Sequence, residues 1–336
     1  MPKVSVLMAA YNAEKYISDA IDSILQQTFT DFEFIIVNDG STDNTREKIL
    51  SFNDHRIRFY ENDGNKGILF TRNRLITLAI GKFIAWLDAD DISLPERLAY
   101  QTMFLENNED YILCGTWATL IDENGNGLRE IWKPLRHPEK IVFQMLFTNN
   151  FITSSVMMYN LYEKSILFSD LYPLAEDFYL WHEYLHLGKV TNLNKVLIRY
   201  RINKNGATQS GQALMDTCKL QIILEVLKKK GITLNNQQEK IHADLVFNHP
   251  NSSKDTILLY FKDLLNHFKN NASLKEVLLD RYTKNQIRLE NPSSSAIHWL
   301  LKVSLLCSFR YNSASLARGF LILFQSFIHK KLLKTA

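Results

Sequence analysis

From Leu87 to Asp91 the chain reads Leu-Asp-Ala-Asp-Asp, so Asp88, Asp90 and Asp91 crowd three carboxylates into one short turn. Like charges this close raise one another's energy, and a cation relieves them. Oxygen-only clusters suit Mg²⁺ or Mn²⁺, and Mg²⁺ usually completes its shell with waters and a substrate's phosphates. A metal bridging a diphosphate is one reading. A solvated acidic turn in which Asp91 or Ser93 caps a following helix is the other, and these residues alone do not separate the two. A second acidic pair, Glu176-Asp177, stands just ahead of Phe178, Trp181 and Leu185 at helical spacing. In a helix's first turn, carboxylates either complement the dipole or are free to act as a general base. Tyr11 offers an aromatic face and a hydroxyl to a planar base, or simply packs. Asp39 can accept the imide N–H of uracil, which cytosine lacks, or close an Asx turn before Gly40. Arg72 follows a glycine-containing loop; its fork suits a phosphate oxygen or, equally, a surface carboxylate.

The elements that must position these residues are legible as periodicity. Val4 to Ala10 is a nearly continuous apolar run, followed by a helical pattern through Tyr16, Ile17, Ala20, Ile21 and Leu25. Phe32 to Val37 is a second strand ending at Asn38-Asp39-Gly40-Ser41, after which Asn44 and Glu47 have the spacing of a capping box. Ile57 to Tyr60 is a third strand, leading through Asn62 to Gly67 into a helix with Arg72 and Asn73. Lys82 to Leu87 is a fourth, and Pro95 marks the first turn of the next helix. Strands alternating with helices build a parallel sheet with crossover helices, and ligands bind at the carboxyl ends of its strands. That edge gathers Tyr11, Asp39, Arg72, Asp88 and Asp90.

In these segments the chain resembles the family-2 glycosyltransferases of GT-A fold. The matching strings are VSVLMAAYN, FEFIIVNDGSTDNT, NKGILFTRN and FIAWLDADDISLPERL, in that order, then AEDFYLW near position 180. The resemblance spans about residues 1 to 205, and its first hundred residues are similar to the bacterial spore-coat type of nucleotide-diphospho-sugar transferase. It implies an α/β fold, a mixed and mainly parallel sheet flanked by helices. It places Ala9, Tyr11, Asn12, Asp39, Arg72, Asp88 and Ala89 around a nucleotide-sugar donor. It puts Asp90 directly on Mn²⁺ or Mg²⁺, with Asp88 meeting the ribose or completing the shell. It assigns the general base to Asp177 and acceptor orientation to Glu176, with a single displacement that inverts the anomeric centre. The implied donor is a UDP-sugar, and the implied acceptor a glycan or lipid-linked saccharide in bacterial surface polysaccharide assembly. Two positions depart from the family pattern: Asn203 and Thr153 stand where histidines are common. His182 and His186, at i and i+4, have a metal-binding spacing, although a partly exposed helix face accounts for them more simply.

Length and composition agree with a two-part enzyme: 336 residues exceed what one core usually serves, and 46% hydrophobic residues suffice for burial. The expected parts are a catalytic domain over 1–207, divided into a nucleotide-binding half (1–110) and an acceptor half (111–207), and a helical region over 208–336. In the latter, amphipathic stretches run over 212–230, 235–248, 253–269 and 273–289. Cys114, Cys218 and Cys307 form no CxxC pair and read as reduced core residues. Met1-Pro2-Lys3 leads straight into the first strand, so the expected location is cytoplasmic. From 291 to 336 there is no Asp or Glu, but there are six basic residues: Lys302, Arg310, Arg318, Lys330, Lys331 and Lys334. This basic, apolar tail suits the inner face of an anionic membrane as a peripheral contact, or else packs on the core. Nucleic acid is not expected, because the tail's aromatics lie in aliphatic runs rather than among the basic residues. A nucleotidyltransferase would want a glycine-rich, basic phosphate loop after the first strand, where Ala9-Ala10-Tyr11-Asn12 stands. An inactive nucleotide-binding scaffold would have no need of both acidic pairs.

Overall fold

The sheet is built outward from runs that are apolar on both faces. Strands β1 (Val4–Ala10) and β2 (Phe32–Asn38) are almost wholly buried, as strands covered by helices on each side must be. The one charge within them, Glu33, is answered by the Ser5 hydroxyl, the Ile80 N–H at 2.9 Å and the Arg58 guanidinium. Strands β3 (Ile57–Glu61) and β4 (Phe83–Trp86) flank this pair, giving a parallel order β3-β2-β1-β4. Helix α1 (Ile17–Leu25) buries Ile17, Ala20, Ile21 and Ile24, one apolar stripe at helical period. Helices α2 (Thr45–Leu50) and α3 (Ile68–Leu78) follow β2 and β3. The structure is a computed structural model and describes residues 1–203, 211–247 and 252–289.

Beyond β4 the sheet becomes mixed. After β5 (Ile92–Ser93) come helix α4 (Arg97–Asn107), the long strand β6 (Tyr111–Ile121), β7 (Gly127–Trp132) and helix α5 (Pro138–Gln144). The three-residue β8 (Met157–Tyr159), helix α6 (Glu176–Leu185) and β9 (Lys189–Arg201) complete this half. The order continues β4-β8-β6-β9-β5, and β7 pairs with Ala118, Thr119 and Ile121 of β6, beyond Leu113 and Cys114 that pair with β8. The expected mixed α/β sheet is therefore present, but the strands end in two different chain directions.

Two local expectations differ. No capping box closes at α2: the Asn44 N–H and side-chain amide both donate to Glu14 Oε2, at 3.0 and 2.8 Å, and the Thr45 N–H donates to Asp43 Oδ1 at 3.0 Å. Glu14, in the loop after β1, thus takes the Asn44 N–H that a local box would have given to Glu47. Pro95 lies outside α4, which begins at Arg97, because the Leu94 N–H is bound to Leu197 O at 2.9 Å and keeps the approach extended.

Two compact units divide the chain: residues 1–141 with 149–219, and residues 142–148 with the chain from 220 onward. The four amphipathic stretches form α7 (Gln212–Lys229), α8 (Asn236–Phe247), α9 (Lys254–His267) and α10 (Ala272–Leu289). The Ser253 hydroxyl caps α9 by accepting the Thr256 N–H. Within the second unit Leu245, Ile257, Leu264, Leu274 and Leu278 are buried. Cys114 and Cys218 are buried and unbridged; Cys307 lies outside the described residues, as does the basic tail over 291–336. Among the described residues no helix is long and apolar enough to cross a membrane.

Candidate active site

The carboxyl ends of β1 and β2 are joined before anything else is added. Asp39, one residue past β2, donates its N–H to Ala10 O at 2.8 Å. Asn12, in the left-handed region at φ 47, donates its N–H to Ser41 Oγ and accepts the Thr42 N–H on Oδ1 at 2.8 Å. Asp39 is buried, and its carboxylate organises the next loop: Oδ1 accepts from Asn62 Nδ2 (2.6 Å) and Lys66 N (2.9 Å), Oδ2 from Gly67 N (2.9 Å). Those bonds use three of the roughly four acceptor positions of a carboxylate, leaving one on Oδ2. Gly40 permits this arrangement. At φ +68 it sits so near the next loop that a Cβ would lie 2.5 Å from the carbonyl carbon of Gly64. Tyr11, at the tip of β1, is 48% exposed, so its ring is open to a partner. Ala9 and Ala89 line the strand ends on either side.

Arg72, on α3, links the two acidic pairs. Its Nη2 donates to Asp88 Oδ1 at 3.0 Å and its Nη1 to Glu176 Oε1 at 2.7 Å. The guanidinium is buried beside Trp86 and Phe168, 6.0 and 5.7 Å from their ring centroids. Burial alone would lower its pKa, but Asp88 and Glu176 outweigh burial and raise it. Glu176 is raised in turn by its own burial, although Arg72 pulls it down. Of the two kinds of partner open to Arg72, a phosphate oxygen or a surface carboxylate, carboxylates take two of its donors, with the guanidinium buried rather than at the surface.

The Leu87–Asp91 turn is held from behind by Arg201, at the end of β9. The Arg201 N–H donates to Asp91 Oδ1 (2.8 Å), its Nε to Asp90 O (2.7 Å), and its Nη1 to the carbonyls of Asp122 and Glu123. Asp91 is buried, and burial followed by Asp90 and Asp88 raises its pKa well above the carboxylate range. It anchors the turn. Asp90 is pushed up to about 6, by burial first and Asp88 second. Two carboxylates, one of them burdened by burial and its neighbour, are a donor set that fits a hard divalent cation. No group of three His, Cys, Asp or Glu side chains converges on such an ion among the described residues. Asp88 and Asp90 would therefore leave most of the shell to waters and phosphate oxygens.

On the opposite side of Arg72, α6 begins with Glu176 and Asp177. Asp177 Oδ2 accepts from Thr153 Oγ1 (2.9 Å) and Asn149 Nδ2 (3.2 Å), and Oδ1 accepts the Phe178 N–H. Thr153, where histidine is common in the resembling family, thus orients the candidate base. His182 does not lie on an exposed face: it is buried, with its ring edge-on to Phe178 at 4.7 Å, while His186 is exposed at the helix end. Asn203 follows β9 by two residues. Sequence reading missed Asn149, Arg201 and Tyr200. The phenol of Tyr200 is raised by burial and then by Asp91, Asp88, Asp90 and Asp177, so it lies among both acidic groups. The signal that could have found Arg201 and Tyr200 is their place at the end of a long strand, opposite the acidic turn.

Residues 5–165 match the family described as Glycosyl transferase family 2. An uncharacterized glycosyltransferase of Haemophilus influenzae is 37% identical over 216 residues, covering 61% of this chain and 67% of that protein. An Escherichia coli UDP-Glc:alpha-D-GlcNAc-diphosphoundecaprenol beta-1,3-glucosyltransferase is 33% identical over 62% of this chain and 80% of its own length. An O-antigen biosynthesis glycosyltransferase of the same species is 32% identical over 68% and 91%. Among solved structures, Staphylococcus aureus TarS 1–349 with UDP-GlcNAc shares the fold at TM-score 0.57 and 19% identity, covering 91% of this chain and 89% of that one. The mannosyltransferase PcManGT from Pyrobaculum calidifontis, in complex with GDP-Man and Mn²⁺, does so at TM-score 0.53 and 16% identity, over 86% and 88%. The architecture is the GT-A type, and a chain matched along most of two relatives at above 30% identity, with both acidic pairs facing one arginine, belongs to glycosyl transferase family 2.

Proposed function

We propose that this chain is an inverting glycosyltransferase that moves a sugar from a nucleotide-diphosphate donor, a UDP-sugar by preference, to a saccharide or lipid-linked saccharide in bacterial surface polysaccharide biosynthesis. The carrying observation is Arg72: one side chain reaches both Asp88 and Glu176, so the donor edge of the sheet and the head of α6 lie within a single guanidinium's span. The relatives named for UDP-Glc transfer and O-antigen biosynthesis support the donor and the pathway class. Peripheral contact with the inner membrane face rests on the basic tail.

In this reading Tyr11 stacks on the base, Asp39 takes its imide N–H on the remaining Oδ2 position, and Ala9, Asn12 and Ala89 shape the walls of the nucleotide site. Asp90 and Asp88 would hold Mn²⁺ or Mg²⁺, which would supply Lewis-acid neutralisation of charge on the departing diphosphate. Asp177, oriented by Thr153 and Asn149, takes the proton from the acceptor hydroxyl as that oxygen attacks the anomeric carbon. The bond to the diphosphate breaks with its electron pair leaving on the phosphate oxygen, and attack from the opposite face inverts the centre. Glu176, fixed by Arg72, orients the acceptor.

A screen of nucleotide sugars with Mn²⁺, read as released nucleoside diphosphate, tests the reading. Slow hydrolysis of one UDP-sugar that disappears in Asp90→Asn is the expected result. Equal UDP affinity for wild type and Asp90→Asn, both with Mn²⁺, overturns the metal assignment, and no hydrolysis of any nucleotide sugar overturns the function.

A further inference from the structure

Beside the catalytic carboxylates lies a pair of aromatic rings that the reaction described above does not use. Trp132 ends the edge strand β7 and is 40% exposed, and its ring lies on that of Tyr200 with centroids 5.0 Å apart and planes 30° from parallel. Tyr200 immediately precedes Arg201, whose N–H and Nε hold Asp91 and Asp90. The strand register explains the meeting: Trp132 and Ile198 both pair with Ala118 of β6, and Tyr200 pairs with Leu120 two residues on, so both rings stand on one face of the sheet. Tyr200 is the inner ring, packed against the core, and Trp132 the outer one.

We propose that Trp132, backed by Tyr200, is the shelf on which the ring of a neutral pyranose acceptor stacks while its hydroxyl reaches Asp177; this rests on the glycosyltransferase reading. A pyranose has an apolar face of axial C–H bonds and a rim of hydroxyls. A tryptophan face meets the first, and carboxylates with a protonated phenol meet the second. Position separates this shelf from the nucleotide site. Tyr11 and Asp39 stand at the ends of β1 and β2, whereas β7 lies past β4, β8 and β6 in the sheet order. Charge favours a neutral ring: Arg129 and Lys133 near Trp132 have Glu130 between them, and Arg199 and Arg201, which flank Tyr200, donate to the carbonyls of Gly125, Asp122 and Glu123.

Ligand-detected saturation-transfer NMR on the full chain tests the shelf without requiring turnover, using methyl β-glucoside and methyl N-acetyl-β-glucosaminide as probes. Wild type is expected to saturate the axial C–H protons of at least one probe. Trp132→Ala should lose about tenfold of that binding, and Trp132→Phe should keep most of it, as an aromatic stack requires. A melting temperature for each variant checks folding, which an exposed side chain should not upset. Equal saturation in wild type and Trp132→Ala, or none in wild type for both sugars, overturns the shelf. UDP binding by wild type is measured alongside: its absence counts against the glycosyltransferase reading and not against the shelf.

Discussion

Arg72 is held by two carboxylates at once, and that changes what its loss should do. Glu176 is buried at its side, so removing the guanidinium leaves an unpaired charge in a low-dielectric setting. Arg72→Gln should therefore destabilise the protein by about 3 kcal/mol or more, and adding Glu176→Gln should recover a large part, because the stranded charge goes too. Denaturation midpoints of the two variants check this; no recovery in the double variant would mean that the pair is not the source. For Asp177 the expectation is kinetic. Asp177→Asn keeps the size and, on its one remaining oxygen, the bond from the Phe178 N–H, but takes no proton, so transfer should fall by roughly 10²-fold or more with UDP affinity near wild type. Retained transfer would move the base elsewhere, with Glu176 next. The acids and the aromatic at the strand ends were legible as residue types. Their partners were not: Arg72 and Glu176 are 104 positions apart, and no local spacing announces such a bond.

The elements were legible where their pattern is clean. Both central strands are apolar but for Ser5, Glu33 and Asn38, and α1 and α7 to α10 carry a helical stripe, so the first half of the sheet and the four C-terminal helices fall where periodicity puts them. The acceptor half is harder to read: β8 has three residues, and β7 is exposed along its whole length, leaving no alternation to recognise. In the second unit one side chain ties α8 to α9 and to the Leu146-Phe147 segment by bonds the sequence does not advertise. His242 of α8 is fully buried, stacked on Phe147, with Nε2 at 2.8 Å from Leu146 O and Nδ1 at 2.6 Å from the Tyr260 hydroxyl. A carbonyl accepts only, so Nε2 carries the proton and Nδ1 accepts from tyrosine. Burial, opposed by the Leu146 bond and aided by Arg281, lowers its pKa to about 4. Below the ordinary 6.5 the unfolded chain takes a proton that the folded one refuses. The resulting stability is complete above pH 6.5 and is lost as pH falls toward 4, by about 3 kcal/mol. His242→Gln keeps a donor and an acceptor but does not titrate. The difference in melting temperature between wild type and this variant should change across that window, and parallel curves would rule the histidine out as the cause.

At the scale of the whole molecule, charge is unevenly divided: the net +3 of the chain separates into +6 over residues 291–336 and −3 over the rest. The carboxylates proposed for catalysis all precede residue 205, so the proposed role of the basic segment is in where the enzyme sits rather than in its chemistry. Phe320 to Phe324 and Phe327-Ile328 form apolar runs too short to span a bilayer, yet long enough to enter its surface. Near an anionic surface each basic residue contributes roughly 1 kcal/mol, so the charges should dominate binding and salt should weaken it, since screening shortens to about 3 Å at 1 M. Full-length protein should sediment with anionic liposomes at low salt and be released at high salt. Truncation before Ser313 removes those apolar runs and four of the six charges, Arg318, Lys330, Lys331 and Lys334. The shortened chain should stay in the supernatant and still hydrolyse a soluble donor. Full-length protein that remains in the supernatant at low salt, or a truncation that unfolds, would make the segment structural and remove the membrane from the account.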